Sequence, residues 1–336
     1  MAEMMLRDAI VQTLHDEMER DPNVVVLGED VVGGMGTPGG PEAIGGIWST
    51  STGLYAKFGA GRVIDTPISE SAIVGAAAGL ALTGKRPVAE IMFADFVGVC
   101  LDQLWNQLAK FRYMFGGVNC PAVIRMAYGA GLNASAQHSQ AVYGLLTALP
   151  GLKIALPTTP ADAKGLLTSA IRGEDPVIFM EHKALYGVKG EVPDGDHLVA
   201  FGHARLVRAG GDATIVTCGY MVSFAEAAAD ALAKEGIGCD VIDLRTTSPM
   251  DEEAILDSVE VTGRLVVVDE SPPRCGLAAD IAALVAEKAF ASLRAPPQQV
   301  TAPHTPVPFA RELEAAYLPS AAKIEAAVRR TLAWRG

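Results

Sequence analysis

The feature that most constrains the fold is a regular alternation of short apolar runs with longer helix-like stretches. In the first half, apolar runs of strand length occur at residues 23–27, 62–65, 87–93, 122–126, 152–156 and 177–180. Helix-like stretches precede or separate them, at residues 4–20, 71–82, 97–113, 140–149 and 160–172. Strands that are apolar throughout are typical of a parallel sheet covered by helices on both faces. The alternation therefore predicts an α/β fold.

A polar segment rich in Gly, Pro and Asp, residues 187–197, interrupts this pattern before a second alternation begins. The later apolar runs lie at residues 213–217, 239–244, 265–269 and 299–301, and the helix-like stretches at 224–235, 251–258, 277–293 and 320–334. A chain of 336 residues is long enough for two α/β domains. We predict a domain over residues 4–180, a linker over 181–198 and a smaller domain over 199–336.

Composition excludes several classes of protein. Acidic residues outnumber basic ones by 39 to 27, which leaves a formal charge of -12 and no basic stretch for binding nucleic acid. The 5 cysteines are far apart and form no Cys-x-x-Cys pair, so they indicate buried thiols in a reducing cytoplasm. The acidic N-terminal segment argues against a secretory or transit peptide, and the apolar run at 72–82 is too short to span a bilayer. We expect a soluble, cytoplasmic protein.

The segment Asp65-Thr-Pro-Ile-Ser-Glu70-Ser71 places a carboxylate at a junction between a predicted strand and a predicted helix. Ser69 is the expected N-cap of that helix. A side chain at this junction projects beyond the carboxyl end of the sheet, where α/β folds bind ligands. From the local sequence alone, Glu70 could instead serve only to complement the helix dipole.

Two further groups carry side chains suited to chemistry. His138 lies in Ala136-Gln-His-Ser-Gln140, where it could transfer protons near neutral pH or act as a structural hydrogen-bonding residue. Phe96 follows another predicted strand, in Glu90-Ile-Met92-Phe-Ala-Asp-Phe96. It could belong to the core or form a flat wall for a heteroaromatic ring.

A glycine fingerprint, Gly34-Met-Gly36-Thr-Pro-Gly39, formally matches a dinucleotide-binding loop. Such a loop must open a helix and be followed by an acid about 20 residues later. Here further glycines and a proline follow instead, and no acid lies at that distance. We interpret the segment as a glycine-rich loop, which leaves a free-standing nicotinamide-dependent oxidoreductase as a weaker alternative.

Many ordered motifs of this chain resemble the β-subunits of thiamine-diphosphate-dependent 2-oxo acid dehydrogenases. They lie at residues 65–70, 90–96, 136–140, 150–153, 162–166, 169–172, 243–251 and 269–275. The resemblance covers essentially the whole chain. It implies a transketolase-like pyrimidine-binding domain followed by a smaller α/β domain similar to the transketolase C-terminal domain. Residues 106–117, 128–131, 280–285 and 300–309 resemble the acetoin dehydrogenase branch; pyruvate and branched-chain 2-oxo acid dehydrogenases are the alternatives.

The resemblance also implies roles for individual residues. Glu70 would hydrogen-bond to the aminopyrimidine ring of thiamine diphosphate and act in catalysis. Met92 and Phe96 would contact that ring, and Glu29 would belong to the cofactor site as part of a buried acidic path. His138 would be catalytic on the substrate side, where it would handle protons or stabilise negative charge on oxygen.

The Gly-Asp-Gly motif that holds the Mg²⁺ and diphosphate of this cofactor in the family is missing from the sequence. No metal ligand is therefore assigned to this chain. The resemblance implies that a separate α-subunit supplies the Mg²⁺ site in an α₂β₂ assembly, and that a dihydrolipoyl acyltransferase core takes up the acyl group. A non-catalytic scaffold for an active α-subunit is the remaining alternative.

Overall fold

The computed structural model of the protein describes residues 1–33 and 45–335. The glycine fingerprint at residues 34–39 lies outside the described residues. By internal contacts the chain divides into two compact units. The first consists of Met1–Tyr128 and Leu146–Phe201, and the second of Gly129–Leu145 and Gly202–Gly336. The domain limits at residues 180 and 199 remain a prediction. The segment 129–145, which lies inside the predicted first domain, belongs to the second unit by its contacts.

The first unit is built on a parallel sheet. Its strands are β2 (Val24–Glu29), β3 (Val63–Thr66), β4 (Arg86–Ile91), β5 (Val123–Tyr128), β6 (Lys153–Ala155) and β7 (Val177–His182), in the order β6-β7-β5-β4-β2-β3. Two further strands, β1 (Ala2–Met5) and β8 (Lys189–Val192), form a separate antiparallel ribbon. Every residue of β5 and β7 is buried, as expected for central strands covered on both faces.

Helices follow the strands of this first half of the chain. They are α1 (Leu6–Arg20), α2 (Leu54–Phe58), α3 (Glu70–Leu82), α4 (Ala109–Met114), α5 (Tyr143–Thr147) and α6 (Pro160–Arg172). Local sequence defines where α6 starts. The side chain of Thr159 accepts a hydrogen bond from the backbone N–H of Asp162, and Pro160 occupies the first turn.

The second unit has its own sheet. Its strands are β9 (Arg205–Arg208), β10 (Ala213–Thr217), β11 (Cys239–Asp243), β13 (Leu265–Asp269) and β14 (Gln298–Thr301), in the order β14-β13-β10-β11-β9, and a short strand β12 (Thr246–Ser248) follows β11 in the chain. All pairs are parallel except β9 with β11. The helices are α7 (Met221–Ala233), α8 (Glu252–Thr262), α9 (Leu277–Lys288), α10 (Arg311–Tyr317) and α11 (Ala321–Ala333).

The predicted α/β class and all of the predicted strands are confirmed, whereas several predicted helices differ. The helix predicted from residue 4 begins at Leu6, because Ala2–Met5 pairs with a strand inside the predicted linker. The helix predicted over 97–113 is a 3₁₀ turn (Ala94–Gly98), then a π-helical turn (Gln103–Leu108) leading into α4. The helix predicted over 140–149 is reduced to Tyr143–Thr147.

Two expectations from composition were tested by the structure. Four of the five free cysteines are buried, but Cys275 is exposed, so the expectation of five buried thiols is wrong at that position. Within residues 1–33 and 45–335 there is no helix with the length and apolar character needed to cross a membrane.

Candidate active site

Four carboxylates gather at the carboxyl ends of β2 and β3 in the first unit. Glu29 ends β2, and Asp30 follows it with a left-handed φ of 59°. Asp65 lies in β3, in register with Gly28 of β2. Glu70 is the first residue of α3 and is only 7% exposed. The predicted position of Glu70 at a strand-to-helix junction is therefore what the structure shows.

The carboxylates of this cluster affect the ionisation of Glu29. Burial raises the pKa of Glu29, and the nearby charges of Asp30, Glu70 and Asp65 raise it further. Within the described residues, neither Glu29 nor Glu70 forms an ion pair. The cluster is thus a place where a proton, or a group that carries a proton, is favoured.

The start of α3 holds Glu70 in position. Ser69 occupies the N-cap, as predicted, but its side chain makes no capping hydrogen bond. Instead, its carbonyl accepts the backbone N–H of Ile73 at 3.0 Å. The hydroxyl of Ser71 donates to the carbonyl of Val99 at 2.6 Å, which ties the first turn of α3 to the segment after β4.

That segment carries Met92 and Phe96, which are both half-buried. The carbonyl of Met92 accepts the indole N–H of Trp48 at 3.1 Å. Phe96 lies in the 3₁₀ turn, with its ring edge-on to that of Phe93 at 5.8 Å between centroids. The thioether of Met92 and the ring of Phe96 are therefore partly accessible. An apolar wall that packs against a bound ring requires such accessible surface.

Cys100 connects the acidic cluster to this wall. Its thiol donates to the carbonyl of Phe96 at 3.8 Å. Burial, together with the nearby charge of Glu70, raises its pKa to about 12, so the thiol stays protonated. Glu29, Glu70, Met92 and Phe96 are thus brought to one end of the sheet, and Cys100 is a neighbour that sequence reasoning did not identify.

His138 belongs to the second unit, in the segment Gly129–Leu145. The ring is half-buried, and the backbone N–H donates to the carbonyl of Ser135 at 3.4 Å. The helix predicted from residue 140 begins only at Tyr143. It lies in a loop in which Asn133 and Ser135 both have positive φ, at 55° and 70°.

Buried carboxylates of the second unit hold this loop. Glu270 accepts the backbone N–H of Ala130 at 2.6 Å. Asp269 accepts the hydroxyl of Tyr143 at 2.5 Å. Farther along the chain, Glu314 accepts both the backbone and the side-chain N–H of Asn133, at 2.9 and 2.8 Å. Both ends and the middle of the loop are therefore fixed by charge-assisted hydrogen bonds.

A buried ionic network joins β4, β5 and β7 of the first unit, and sequence reasoning missed most of it. Arg125 of β5 donates to both carboxylate oxygens of Glu181, at 2.7 and 2.9 Å, and to Glu90 at 2.9 Å. Tyr186 donates to Glu181 and Thr50 to Glu90. Burial raises the pKa of Glu90 even though Arg125 opposes that shift. The available signal was an arginine in the middle of an otherwise apolar strand.

Comparison with known proteins agrees with this architecture. Residues 2–189 match the family model described as transketolase, pyrimidine binding domain, and residues 202–324 match that described as transketolase, C-terminal domain. Among solved structures, a split-gene transketolase described as an inactive β4 tetramer superimposes with a TM-score of 0.77 at 26% identity, covering 98% of both chains.

Curated relatives span nearly the full length of the chain. The subunit beta of acetoin:2,6-dichlorophenolindophenol oxidoreductase from Cupriavidus necator is 56% identical over 98% of this chain and 97% of its own length. The protein of the same name from Bacillus subtilis is 50% identical, with 95% and 94% covered. The 2-oxoisovalerate dehydrogenase subunit beta of Bacillus subtilis is 42% identical, with 98% of each chain covered.

Proposed function

This chain belongs to the family of thiamine-diphosphate-dependent dehydrogenase β-subunits that join a transketolase pyrimidine-binding domain to a transketolase C-terminal domain, and from that premise we propose that it is the β-subunit of the first component of an acetoin dehydrogenase complex. In this role it cleaves acetoin oxidatively and passes the acetyl group to a lipoyl arm. Identities of 56% and 50% to acetoin oxidoreductase subunits, against 42% to a branched-chain relative, support this substrate.

The observation that carries the proposal is the buried Glu70 beside Glu29, at the same end of the sheet as the half-buried Met92 and Phe96. A heteroaromatic ring that carries or shares a proton fits these two carboxylates, because they have no cation of their own among the described residues. The hydroxyl of Thr66, at the end of β3, is also buried without a partner there. The residues present therefore fit an aminopyrimidine.

We assign Glu70 to hydrogen-bond the ring nitrogen and to hold or release a proton there. Met92 and Phe96 line the ring, and Glu29 belongs to the acidic path beside Glu70, where burial and the neighbouring carboxylates raise its pKa. When bound, the cofactor supplies a nucleophilic carbon that adds to the substrate carbonyl. His138, held by its loop, handles protons on the substrate side.

The relatives are β-subunits by name, and this sequence lacks the Gly-Asp-Gly motif. We therefore infer an α-subunit that holds the diphosphate and Mg²⁺, in an α₂β₂ assembly. A dihydrolipoyl acyltransferase core would receive the acetyl group. The free cysteines support a cytoplasmic location.

The test is the Glu70→Gln variant co-expressed with the α-subunit, assayed by dye-linked oxidation of acetoin, pyruvate and branched 2-oxo acids. Loss of a general acid–base group predicts a fall in kcat of about 10²–10⁴-fold. Glu253→Gln is the matched control, since Glu253 also lies in the first turn of a helix but is exposed.

Two results would contradict the proposal in different ways. Activity of Glu70→Gln equal to that of Glu253→Gln would mean that Glu70 only complements the helix dipole, and it would favour a scaffold. Faster turnover of pyruvate or a branched 2-oxo acid than of acetoin by the unmodified complex would overturn the choice of substrate alone.

A further inference from the structure

Trp48 is a half-buried side chain of the first unit that takes no part in the chemistry assigned to this site. Its indole N–H donates to the carbonyl of Met92 at 3.1 Å. β4 pairs with β2 as far as Glu90 and with β5 as far as Ile91, so the Met92 carbonyl lies just beyond the paired part of the strand. At that point a side chain takes over from the sheet in fixing the backbone.

The ring of Trp48 also contacts the aromatic side chains that follow β4. It meets the ring of Phe93 edge-on, with 5.4 Å between centroids, and Phe93 meets Phe96 edge-on at 5.8 Å. The ammonium group of Lys183 lies over the Phe93 ring, 5.3 Å from its centroid. Aromatic pairs favour such edge-to-face contacts, and an aromatic face attracts a cation. Phe93 is therefore held by two neighbours, and it supports the ring of Phe96.

A second contact joins Trp48 to the buried ionic network. Its ring lies 5.5 Å from that of Tyr186, centroid to centroid. The Tyr186 hydroxyl donates to Glu181 at 2.8 Å, and Glu181 accepts two hydrogen bonds from Arg125. Charge-assisted hydrogen bonds of this kind are short and fix the geometry of their partners. Trp48 thus links a rigid part of the sheet to the segment after β4.

That segment has little regular structure to hold it. Phe96 lies in the 3₁₀ turn Ala94–Gly98, and the hydrogen bonds of such turns have poorer geometry than those of an α-helix. A wall that must be ordered when a ligand binds costs affinity, whereas a wall already in place does not. Side-chain contacts such as those of Trp48 can supply this order in advance.

We propose that Trp48 is a positioning residue for the cofactor site, whose indole N–H and ring keep Met92 and Phe96 where they line the aminopyrimidine. The assignment rests on the proposed function. Trp48 carries no group that titrates near neutral pH, and it acts through the wall. Loss of its N–H should therefore weaken cofactor binding and leave the proton chemistry of Glu70 unchanged.

The test is Trp48→Phe in the complex with the α-subunit, because phenylalanine keeps an aromatic ring and removes the donor. Calorimetric titration of the cofactor-free complex with thiamine diphosphate and Mg²⁺ measures binding without turnover. The dissociation constant should rise about twofold to tenfold, the range expected for one neutral hydrogen bond. At saturating cofactor, kcat for acetoin and its pH profile should match those of the unmodified complex. Trp48→Leu, which removes the ring as well, should bind the cofactor more weakly than Trp48→Phe.

Trp334→Phe is the matched control, because Trp334 lies in the second unit and is 52% exposed. Its cofactor affinity should equal that of the unmodified complex, and circular dichroism melting verifies that the variants fold.

The outcomes separate this assignment from the proposed function. Equal cofactor affinity of Trp48→Phe and Trp334→Phe would overturn the role of Trp48 alone. So would a lower kcat of Trp48→Phe at saturating cofactor with unchanged affinity, since Trp48 would then act on the reaction and not on the wall. Failure of the unmodified complex to bind thiamine diphosphate would overturn the proposed function together with this assignment.

Discussion

Replacement of Arg125 by methionine removes a buried countercharge from the first unit. Arg125, Glu90 and Glu181 are 1%, 5% and 1% exposed, and three hydrogen bonds of 2.7–2.9 Å join them. Methionine fills much of the same volume but leaves two buried carboxylates without a countercharge. Removal of one partner from a buried ion pair costs about 3–5 kcal/mol, a large share of the 5–15 kcal/mol that stabilises a typical domain.

Urea unfolding of the full chain measures this loss, with Arg329→Met as the control. Arg329 pairs with Glu235 and Glu325 at the surface, so its loss should cost only about 0–1 kcal/mol. The deficit of Arg125→Met should shrink as the pH falls, because burial raises the pKa of Glu90 and its protonation removes an unpaired buried charge. A deficit no larger than that of the control, or one independent of pH, would refute the reasoning.

Three further changes have defined outcomes. Burial raises the pKa of Glu90 above its usual 4.5, so the protonated residue favours folding and this contribution is lost as the pH rises through the raised pKa. The melting temperature of Glu90→Gln, taken relative to that of the unmodified chain, should therefore increase from pH 4.5 upward. A decrease would contradict the sign. Gly151→Ala should destabilise by about 2 kcal/mol or more in urea, because φ is 106° and a Cβ would lie 1.9 Å from the carbonyl of Ala109. Thr159→Ala should cost about 1 kcal/mol through loss of the α6 cap, whereas Thr159→Ser should be nearly neutral in the same assay.

The sequence predicts the central strands well because their burial on both faces requires an unbroken apolar run. The strands it misses are polar and short. Lys189–Val192, for example, has a single buried residue, and it forms a strand only because its backbone pairs with Ala2–Met5. Pairing of this kind depends on two segments far apart in the chain, which no local pattern reports.

The site divides in the same way. The position of Glu70 follows from a strand, a turn and a helix within one short segment, whereas the roles of Met92, Phe96 and Glu29 came from family resemblance. The loop that carries His138 could not be placed from sequence, because Glu270 and Glu314 hold it from 140 and 181 residues away. Arg125 could have been suspected, but its partner Glu181 lies 56 residues later.

The buried and half-buried carboxylates of this chain can be sorted by what neutralises them. Glu181 has a guanidinium, and Glu270 and Glu314 have the N–H groups of a loop, so their charges are accounted for largely within the chain. Glu29 and Glu70 form no ion pair among the described residues, and the charge of Glu70 adds to the burial that raises the pKa of Glu29. A pair of this kind persists at some cost in stability, and such costs are characteristic of sites that bind a ligand. In the proposed function, the bound aminopyrimidine is the group that shares its proton with Glu70 beside Glu29.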